Sequence, residues 1–166
     1  MIRLLLALTV ALTLGSGDGA GCPAVNGLPV TRGFALAYVH SIYRAPAAEV
    51  FTVAGGRFTM RAVVSVNEGV LDYYAVEGQR VRLPGGLWLL RPAEPATYAE
   101  LSLLTTSIGR RTVIADGRCL PLYPATGASE VRLSLALTRQ PASRPCPRAF
   151  AALQPVLLLE HGVQSR

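Results

Sequence analysis

Residues 34–66 read FALAYVHSIYRAPAAEVFTVAGGRFTMRAVVSV, and the alternation of side chains in this stretch decides the fold class. Apolar residues recur at every second position in three segments, as expected for β-strands that have two different faces. The segments are separated by Arg44-Ala45-Pro46 and by Ala54-Gly55-Gly56, and both tripeptides favour tight turns. The stretch therefore predicts two consecutive antiparallel hairpins.

The same pattern continues along the chain. In the segment after Gly56, alternation predicts a strand with one buried face and one face mostly exposed to solvent. The predicted buried face is formed by Phe58, Met60, Ala62, Val64 and Val66. A second clear strand is predicted around Val131 to Leu137, and shorter candidates are Leu71–Val76, Arg80–Leu83, Leu87–Leu90, Tyr98–Leu104 and Arg111–Ala115. Because strands follow strands with little room for crossovers, we predict an all-β fold, either an antiparallel β-sandwich or a partly closed barrel.

The two ends of the chain differ from this core. Residues 1–21 combine Arg3, the apolar run Leu4 to Leu14 and small residues, a pattern typical of a secretory signal peptide. The apolar run is shorter than the roughly 20 residues that a membrane-spanning helix needs. We therefore predict one β-sandwich domain at residues 22–138 that is exported to the periplasm or cell envelope. Residues 139–166 are predicted to be a Pro-containing extension that packs on this domain as a strand or short helix.

The three cysteines fit an exported protein. Cys22 follows Gly19-Ala20-Gly21, which is similar to the bacterial lipoprotein signal except that Gly19 stands where that signal usually has Leu. Cys22 is thus predicted either to carry a lipid, the sole membrane contact we expect, or to begin a soluble secreted protein. Cys119 and Cys146 then remain, either as a disulfide in an oxidising compartment or as two thiols.

Charge and composition narrow the classes of partner. The formal net charge is +6, and every basic residue is Arg. An exported basic protein is able to bind a small organic anion, but the chain lacks the aromatic-rich motifs and the arginine-rich helix of nucleic-acid-binding proteins. The histidines and cysteines do not have metal-ligand spacing, so we predict no cofactor and no metal.

The candidate site lies at the first predicted hairpin. His40 ends one strand in line with large apolar side chains, Ser41 follows it, and Glu49 opens the returning strand. A hairpin around Arg44-Ala45-Pro46 would make His40 and Glu49 cross-strand neighbours, and such a pair fixes the tautomer of the imidazole. We predict a ligand-binding set of six residues: His40, Ser41, Arg44, Glu49, Tyr73 and Tyr74. Arg44 is its expected anion contact.

Three roles for this set remain open. A buried His40–Glu49 pair fits a structural clasp or a ligand-binding site. Catalysis is the third role, but Ser41 and His40 are adjacent on a strand and point to opposite faces, and the chain has no nucleophile-elbow motif.

Residues from about Gly33 to Ala136 resemble the bacterial family known as domain of unknown function 1850. The resemblance rests on a strand that ends in His40-Ser41, a turn that carries Pro46, and Glu49 at the start of the next strand. It implies a small exported protein without an assigned activity, often encoded near tripartite transporters of the TAXI type. In place of a glycine-rich stretch that the family tends to have, this chain has Ser65-Val66-Asn67-Glu68-Gly69.

From these features we predict an exported non-catalytic module that recognises a small solute or a partner protein, as an accessory to solute uptake with tripartite transporter components as its partners. The alternatives are an envelope structural or adhesion domain without a ligand pocket, and an esterase-like hydrolase.

Overall fold

The structure is a computed structural model that describes residues 22–138 and 144–153. The predicted signal peptide, residues 139–143 and the residues from 154 onward lie outside the described residues. Within the described part, the chain forms twelve strands, one short α-helix and two 3₁₀ helices. The strands are β1 (Cys22–Val25), β2 (Leu28–Pro29), β3 (Gly33–Val39), β4 (Pro46–Ala54), β5 (Arg57–Ser65), β6 (Gly78–Arg82), β7 (Trp88–Pro92), β8 (Thr97–Tyr98), β9 (Glu100–Thr106), β10 (Thr112–Ala115), β11 (Arg118–Pro121) and β12 (Ala128–Thr138). The helix α1 is Gly69–Asp72, and the 3₁₀ helices are Pro84–Gly86 and Arg148–Leu153.

The strands form two antiparallel sheets. The smaller sheet has the order β2-β1-β12-β9, and the larger has the order β11-β10-β3-β4-β5-β7-β6, with β8 also paired to β5. The sheets face each other without closing into a barrel, which confirms the predicted all-β sandwich. Among the described residues, no helix has the length and apolar character that a membrane crossing requires.

The two hairpins predicted from residues 34–66 are both present. β3 pairs with β4, and β4 pairs with β5. The second hairpin turns at Gly55 and Gly56, whose φ values of 57° and 74° lie in the left-handed region that glycine adopts without a steric penalty. The pairing of these three strands forms the middle of the larger sheet.

A β-bulge in β5 corrects the predicted faces of that strand. Phe51 pairs with Met60 and Val50 pairs with Ala62, so Arg61 is an extra residue without a partner on β4. One extra residue reverses the alternation after it. The prediction of one shared face from Phe58 to Val66 was therefore wrong, because Ala62 points to the side of the sheet opposite that of Met60.

The main core fills the space between the two sheets. Phe34, Phe51 and Phe58 are fully buried there, and the rings of Phe34 and Phe51 stack with centroids 4.9 Å apart. Leu28 and Leu133 of the smaller sheet pack against this aromatic cluster. Burial of such large side chains is the principal stabilising term of a sandwich.

The outer face of the larger sheet is also covered. Small side chains on this face, including Ala35 and Ala48, form a second core with Phe150 and Leu153 of the C-terminal 3₁₀ helix. A disulfide joins Cys119 on β11 to Cys146 just before that helix, so the structure has the first of the two predicted alternatives, a disulfide and not two thiols. The C-terminal extension therefore packs on the domain over its described residues.

Two parts of the predicted strand order were incomplete or wrong. The candidate strand Leu71–Val76 is instead helix α1 followed by a turn. The Asn67 side chain accepts a hydrogen bond from Gly69 N–H at 2.9 Å, a local contact that favours the start of a helix over a strand. Strands β1, β2 and β11 were not predicted, because each is too short to show a clear alternation.

Candidate functional site

A cavity of about 410 Å³ lies between the two sheets at one end of the sandwich. Its floor is formed by the inner face of β3 and β4, one wall by β9 and the turn that follows it, and another wall by the residues after α1. The lining residues are Tyr38, Val39, His40, Ser41, Glu49, Tyr73, Tyr74, Leu104, Thr106, Gly109 and Arg111.

Glu49 reaches this cavity because of the register of the first hairpin. It lies opposite Leu36 on β3, and both residues are on the inner side of the larger sheet. Ala47, two residues earlier in β4, is fully buried and packs in a cluster with Tyr38 and Val70. A carboxylate on the inner face of a sandwich would be unfavourable without polar neighbours, since burial penalises the charged form.

The polar neighbours of Glu49 form a hydrogen-bonded chain. The Tyr74 hydroxyl donates to Glu49 Oε1 at 2.8 Å. Because its one hydrogen is used in that bond, the Tyr74 oxygen accepts from the Tyr38 hydroxyl, 2.6 Å away. The order Tyr38 to Tyr74 to Glu49 thus gives every hydroxyl a partner and leaves Glu49 Oε2 without a hydrogen bond from the described residues.

Burial shifts the protonation equilibria of this chain. The pKa of Glu49 is raised above its ordinary value by burial of the carboxyl, while the Tyr74 hydrogen bond and the Arg111 charge oppose this rise. Burial also raises the pKa of Tyr38 to about 12 and the pKa of Tyr74 further still, and the charge of Glu49 adds to both rises. Both tyrosines are therefore neutral donors at ordinary pH.

Arg111 supplies the positive charge of the cavity. Its guanidinium carbon lies 5.3 Å from the centroid of the Tyr38 ring, in a cation-π contact. Arg111 directly precedes β10, and the turn before it is joined to β3 by the bond from Val39 N–H to Gly109 O at 2.7 Å. From the sequence, Arg111 was only the first residue of a candidate strand and was not among the predicted site residues, because only this long-range pairing brings it into the site.

His40 lies at the edge of the cavity and is buried. Its Nδ1 accepts from the backbone N–H groups of Ile42 and Tyr43, at 3.3 and 3.4 Å. In the neutral ring this pattern assigns the proton to Nε2, so that Nε2–H is the donor that remains. The ring also packs edge-on against Tyr73, with centroids 4.7 Å apart.

The predicted direct pairing of His40 with Glu49 was wrong. Within the described residues, no hydrogen bond or ion pair joins the two, and Glu49 is bonded to Tyr74 instead. The backbone N–H of His40 bonds to Ala45 O, while Glu49 lies opposite Leu36. Both residues nevertheless line the same cavity.

The other predicted site residues divide into two groups. Ser41, Tyr73 and Tyr74 line the cavity, with Ser41 and Tyr73 at its exposed side. Arg44 does not line it: this residue lies in the exposed turn with a φ of 50°, and its N–H bonds to His40 O. Arg111, and not Arg44, is the arginine that lines the cavity.

The arrangement offers hydrogen bonds and charge to a small polar molecule. Arg111 and His40 Nε2–H are donors, and Glu49 Oε2 is an acceptor. In residues 22–138 and 144–153, no group of three or more His, Cys, Asp or Glu side chains is arranged to hold a metal ion.

The chain matches the protein-family model described as Domain of unknown function (DUF1850) over residues 34–122. The matched segment includes every residue that lines the cavity. It leaves out β1, β2 and β12, which are three of the four strands of the smaller sheet. No curated protein and no solved structure matches the chain.

Proposed function

The chain belongs to the DUF1850 family, and we propose that it is an exported, non-catalytic module that recognises a small polar solute in the cavity between Glu49 and Arg111. The observation that carries this proposal is the cavity itself. Its volume of about 410 Å³ falls within the range of pockets that bind small molecules.

The hydrogen-bonding state of the lining residues supports recognition of a polar solute. The Arg111 guanidinium has no hydrogen bond or ion pair with the described residues, and Tyr38 contacts it through the ring face alone. Polar groups that are partly withdrawn from water and lack protein partners gain the most from a ligand that completes their bonds.

The open cavity argues against a purely structural role for His40 and Glu49. A clasp predicts buried partners with no opening, whereas Tyr73 is 55% exposed beside the cavity. The Glu49 carboxyl is also only partly satisfied, which is unfavourable for a residue whose sole role is stability.

The esterase alternative lacks its required contact. A hydrolase of this kind needs a hydroxyl that donates to the His40 ring. Within the described residues, His40 Nδ1 accepts from backbone amides instead, and Ser41 makes no hydrogen bond with the ring.

A specific observation favours a second candidate, recognition of a partner protein. Five large apolar side chains are exposed near the cavity mouth: Ile42, Tyr43, Tyr73, Leu104 and Ile108. Clusters of exposed apolar residues often mark interaction surfaces. A partner that covers the mouth would also control access of the solute.

Export and a link to solute uptake complete the proposal. The predicted leader and the Cys119–Cys146 disulfide support an oxidising compartment. The uptake role rests on the gene context that the family resemblance implies, and co-purification of the tagged protein with components of a tripartite transporter is its direct test.

A thermal-shift panel of small organic acids, amino acids and sugars tests solute recognition, since a ligand that binds the native form alone raises its melting temperature. We expect at least one compound to stabilise the wild-type protein and the control variant Arg110→Gln, and to have little effect on Arg111→Gln. Arg110 is exposed and does not line the cavity. Absence of any shift across the panel, or equal shifts in both variants and in Glu49→Gln, would refute the proposal.

A further inference from the structure

The cavity holds two opposite charges that do not pair with each other. Glu49 and Arg111 both line it, and the Arg111 charge opposes the rise that burial causes in the pKa of Glu49. Yet no ion pair joins them in the described part of the chain.

Each charge is fixed by contacts that leave its polar atoms available. Stacking on Tyr38 orients the Arg111 guanidinium without using its N–H donors. Tyr74 holds Glu49 through Oε1, and Oε2 has no partner among the described residues. The Tyr38 to Tyr74 hydroxyl bond links the two supports, so both charged groups contact one hydrogen-bonded tyrosine pair.

This arrangement discriminates between classes of ligand. A simple anion would complete the bonds of Arg111 but would bring a second negative charge close to Glu49. A simple cation would satisfy Glu49 but would be repelled by Arg111. A molecule that carries both charges satisfies the two groups at once.

We propose that the cavity takes a zwitterion of the amino-acid class, whose carboxylate is bound by Arg111 and whose ammonium group is bound by Glu49. This inference rests on the proposed solute-binding function and names its ligand. The remaining volume beside Tyr73 and Leu104 would receive the ligand's side chain, since these residues form the more apolar edge of the cavity.

The binding should depend on pH through Glu49. The groups that face its carboxyl are Tyr38 from β3, Tyr74 after α1 and Arg111 before β10; its neighbour on β5, Val63, does not titrate. The raised pKa of Glu49 means that acid neutralises this carboxyl sooner than an exposed one. An ammonium ligand needs the ionised form, so affinity falls as pH drops through that pKa.

Calorimetric titration of the purified protein with matched probes tests the inference. Each set contains an amino acid, the acid without its amino group and the amine without its carboxylate: leucine, 4-methylpentanoate and 3-methylbutylamine, then phenylalanine, 3-phenylpropanoate and 2-phenylethylamine. Glycine, β-alanine, 4-aminobutanoate and 5-aminopentanoate vary the separation of the two charges. We expect at least one zwitterion to bind about tenfold or more tightly than the singly charged probes.

Two variants test which residue binds the ammonium group of the ligand and which binds its carboxylate. Glu49→Gln should weaken binding of the best zwitterion by about tenfold or more and remove its pH dependence. The same variant should bind the matched acid more tightly than wild type does, because the negative charge that repels its carboxylate is gone. Arg111→Gln should weaken both, and Arg110→Gln should weaken neither.

Failure of the inference is distinguishable from failure of the proposed function. If 4-methylpentanoate or 3-phenylpropanoate binds as tightly as every zwitterion, and this binding requires Arg111, the zwitterion is refuted while solute recognition stands. If a zwitterion binds equally well to Glu49→Gln, the ammonium assignment is likewise overturned. If no probe binds and no compound of the wider thermal-shift panel raises the melting temperature, both proposals are refuted.

Discussion

Glu49 illustrates how the environment of one residue sets its protonation. Its carboxyl is buried between β3, β4 and the residues after α1, and this burial outweighs the favourable contacts with Tyr74 and Arg111. A raised pKa in the folded state means that the native protein holds its proton at pH values where the unfolded chain has lost it. Stability therefore falls as pH rises from the ordinary value of 4.5 to the raised one.

The substitution Glu49→Gln should remove this pH dependence. Gln keeps an oxygen that can accept from Tyr74 but carries no charge. We expect a higher free energy of unfolding than wild type at pH 7, and a difference that disappears below about pH 4.5. Urea unfolding at a series of pH values measures it. A variant that is less stable than wild type at pH 7 would contradict the burial argument.

Tyr74→Phe tests the hydroxyl chain. The change removes the donor to Glu49 and the acceptor for Tyr38, so the pKa of Glu49 should rise further and the free energy of unfolding should fall by about 1 to 2 kcal/mol. Carboxyl-carbon NMR titration and urea unfolding measure the two effects. Tyr98→Phe is the matched control, because the Tyr98 ring packs in the core and its hydroxyl makes no hydrogen bond among the described residues. Equal effects in the two variants would contradict the proposed series of hydrogen bonds from Tyr38 through Tyr74 to Glu49.

The elements were more predictable from sequence than the contacts between them. The alternation in residues 34–66 predicted both hairpins, and turn residues marked their ends. The direct His40–Glu49 contact failed because the first turn is centred on Ile42 and Tyr43, about two residues before the predicted centre. In a hairpin this displacement moves the partner of Glu49 by four residues, from His40 to Leu36.

The pairing of strands that are distant in the sequence could not be predicted from local alternation of side chains. Arg110 and Arg111 are adjacent and chemically identical, and nothing in their neighbourhood in the sequence separates them. Only the pairing of β10 with β3 places Arg111 over Tyr38. The bulge at Arg61 was equally hidden, because apolar residues continue on both sides of it.

The C-terminal element depends on its disulfide. The Cys119–Cys146 bond closes a segment with a sequence separation of 27 and holds Arg148–Leu153 against the outer face of the larger sheet. A double variant, Cys119→Ala with Cys146→Ala, should lose about 3 kcal/mol of unfolding free energy through the greater entropy of the unfolded chain.

The same variant should retain the cavity, which lies on the inner face of the sheet. Urea unfolding and ligand titration at a temperature where the variant is folded measure stability and binding separately, with chemically reduced wild type as the control. Loss of binding by the folded variant would show that the outer and inner faces are coupled.

The whole molecule extends beyond the family segment. Residues 34–122 provide the larger sheet, but β9 is their sole strand in the smaller sheet. Leu28 and Leu133, which are fully buried against the aromatic core, lie outside the segment. The family match thus contains the cavity without all of the structure that covers the core.

A fragment of residues 34–122 should therefore fail to fold cooperatively, because Phe34, Phe51 and Phe58 would lose one side of their packing. Residues 22–153 are the matched control and should show dispersed amide signals in NMR spectra and a single unfolding transition. A fragment that unfolds cooperatively with native-like spectra would show that the smaller sheet is dispensable.

Binding of an amino acid in the cavity can be measured by NMR titration of protein with isotope-labelled tyrosine rings, assigned through single Tyr→Phe variants. We expect the bound amino acid to shift the signals of Tyr38, Tyr73 and Tyr74 with one common saturation curve, while Tyr98 and Tyr123, which do not line the cavity, stay unchanged. Unchanged cavity tyrosines at saturating ligand, or shifts confined to Tyr98 and Tyr123, would contradict binding in this cavity.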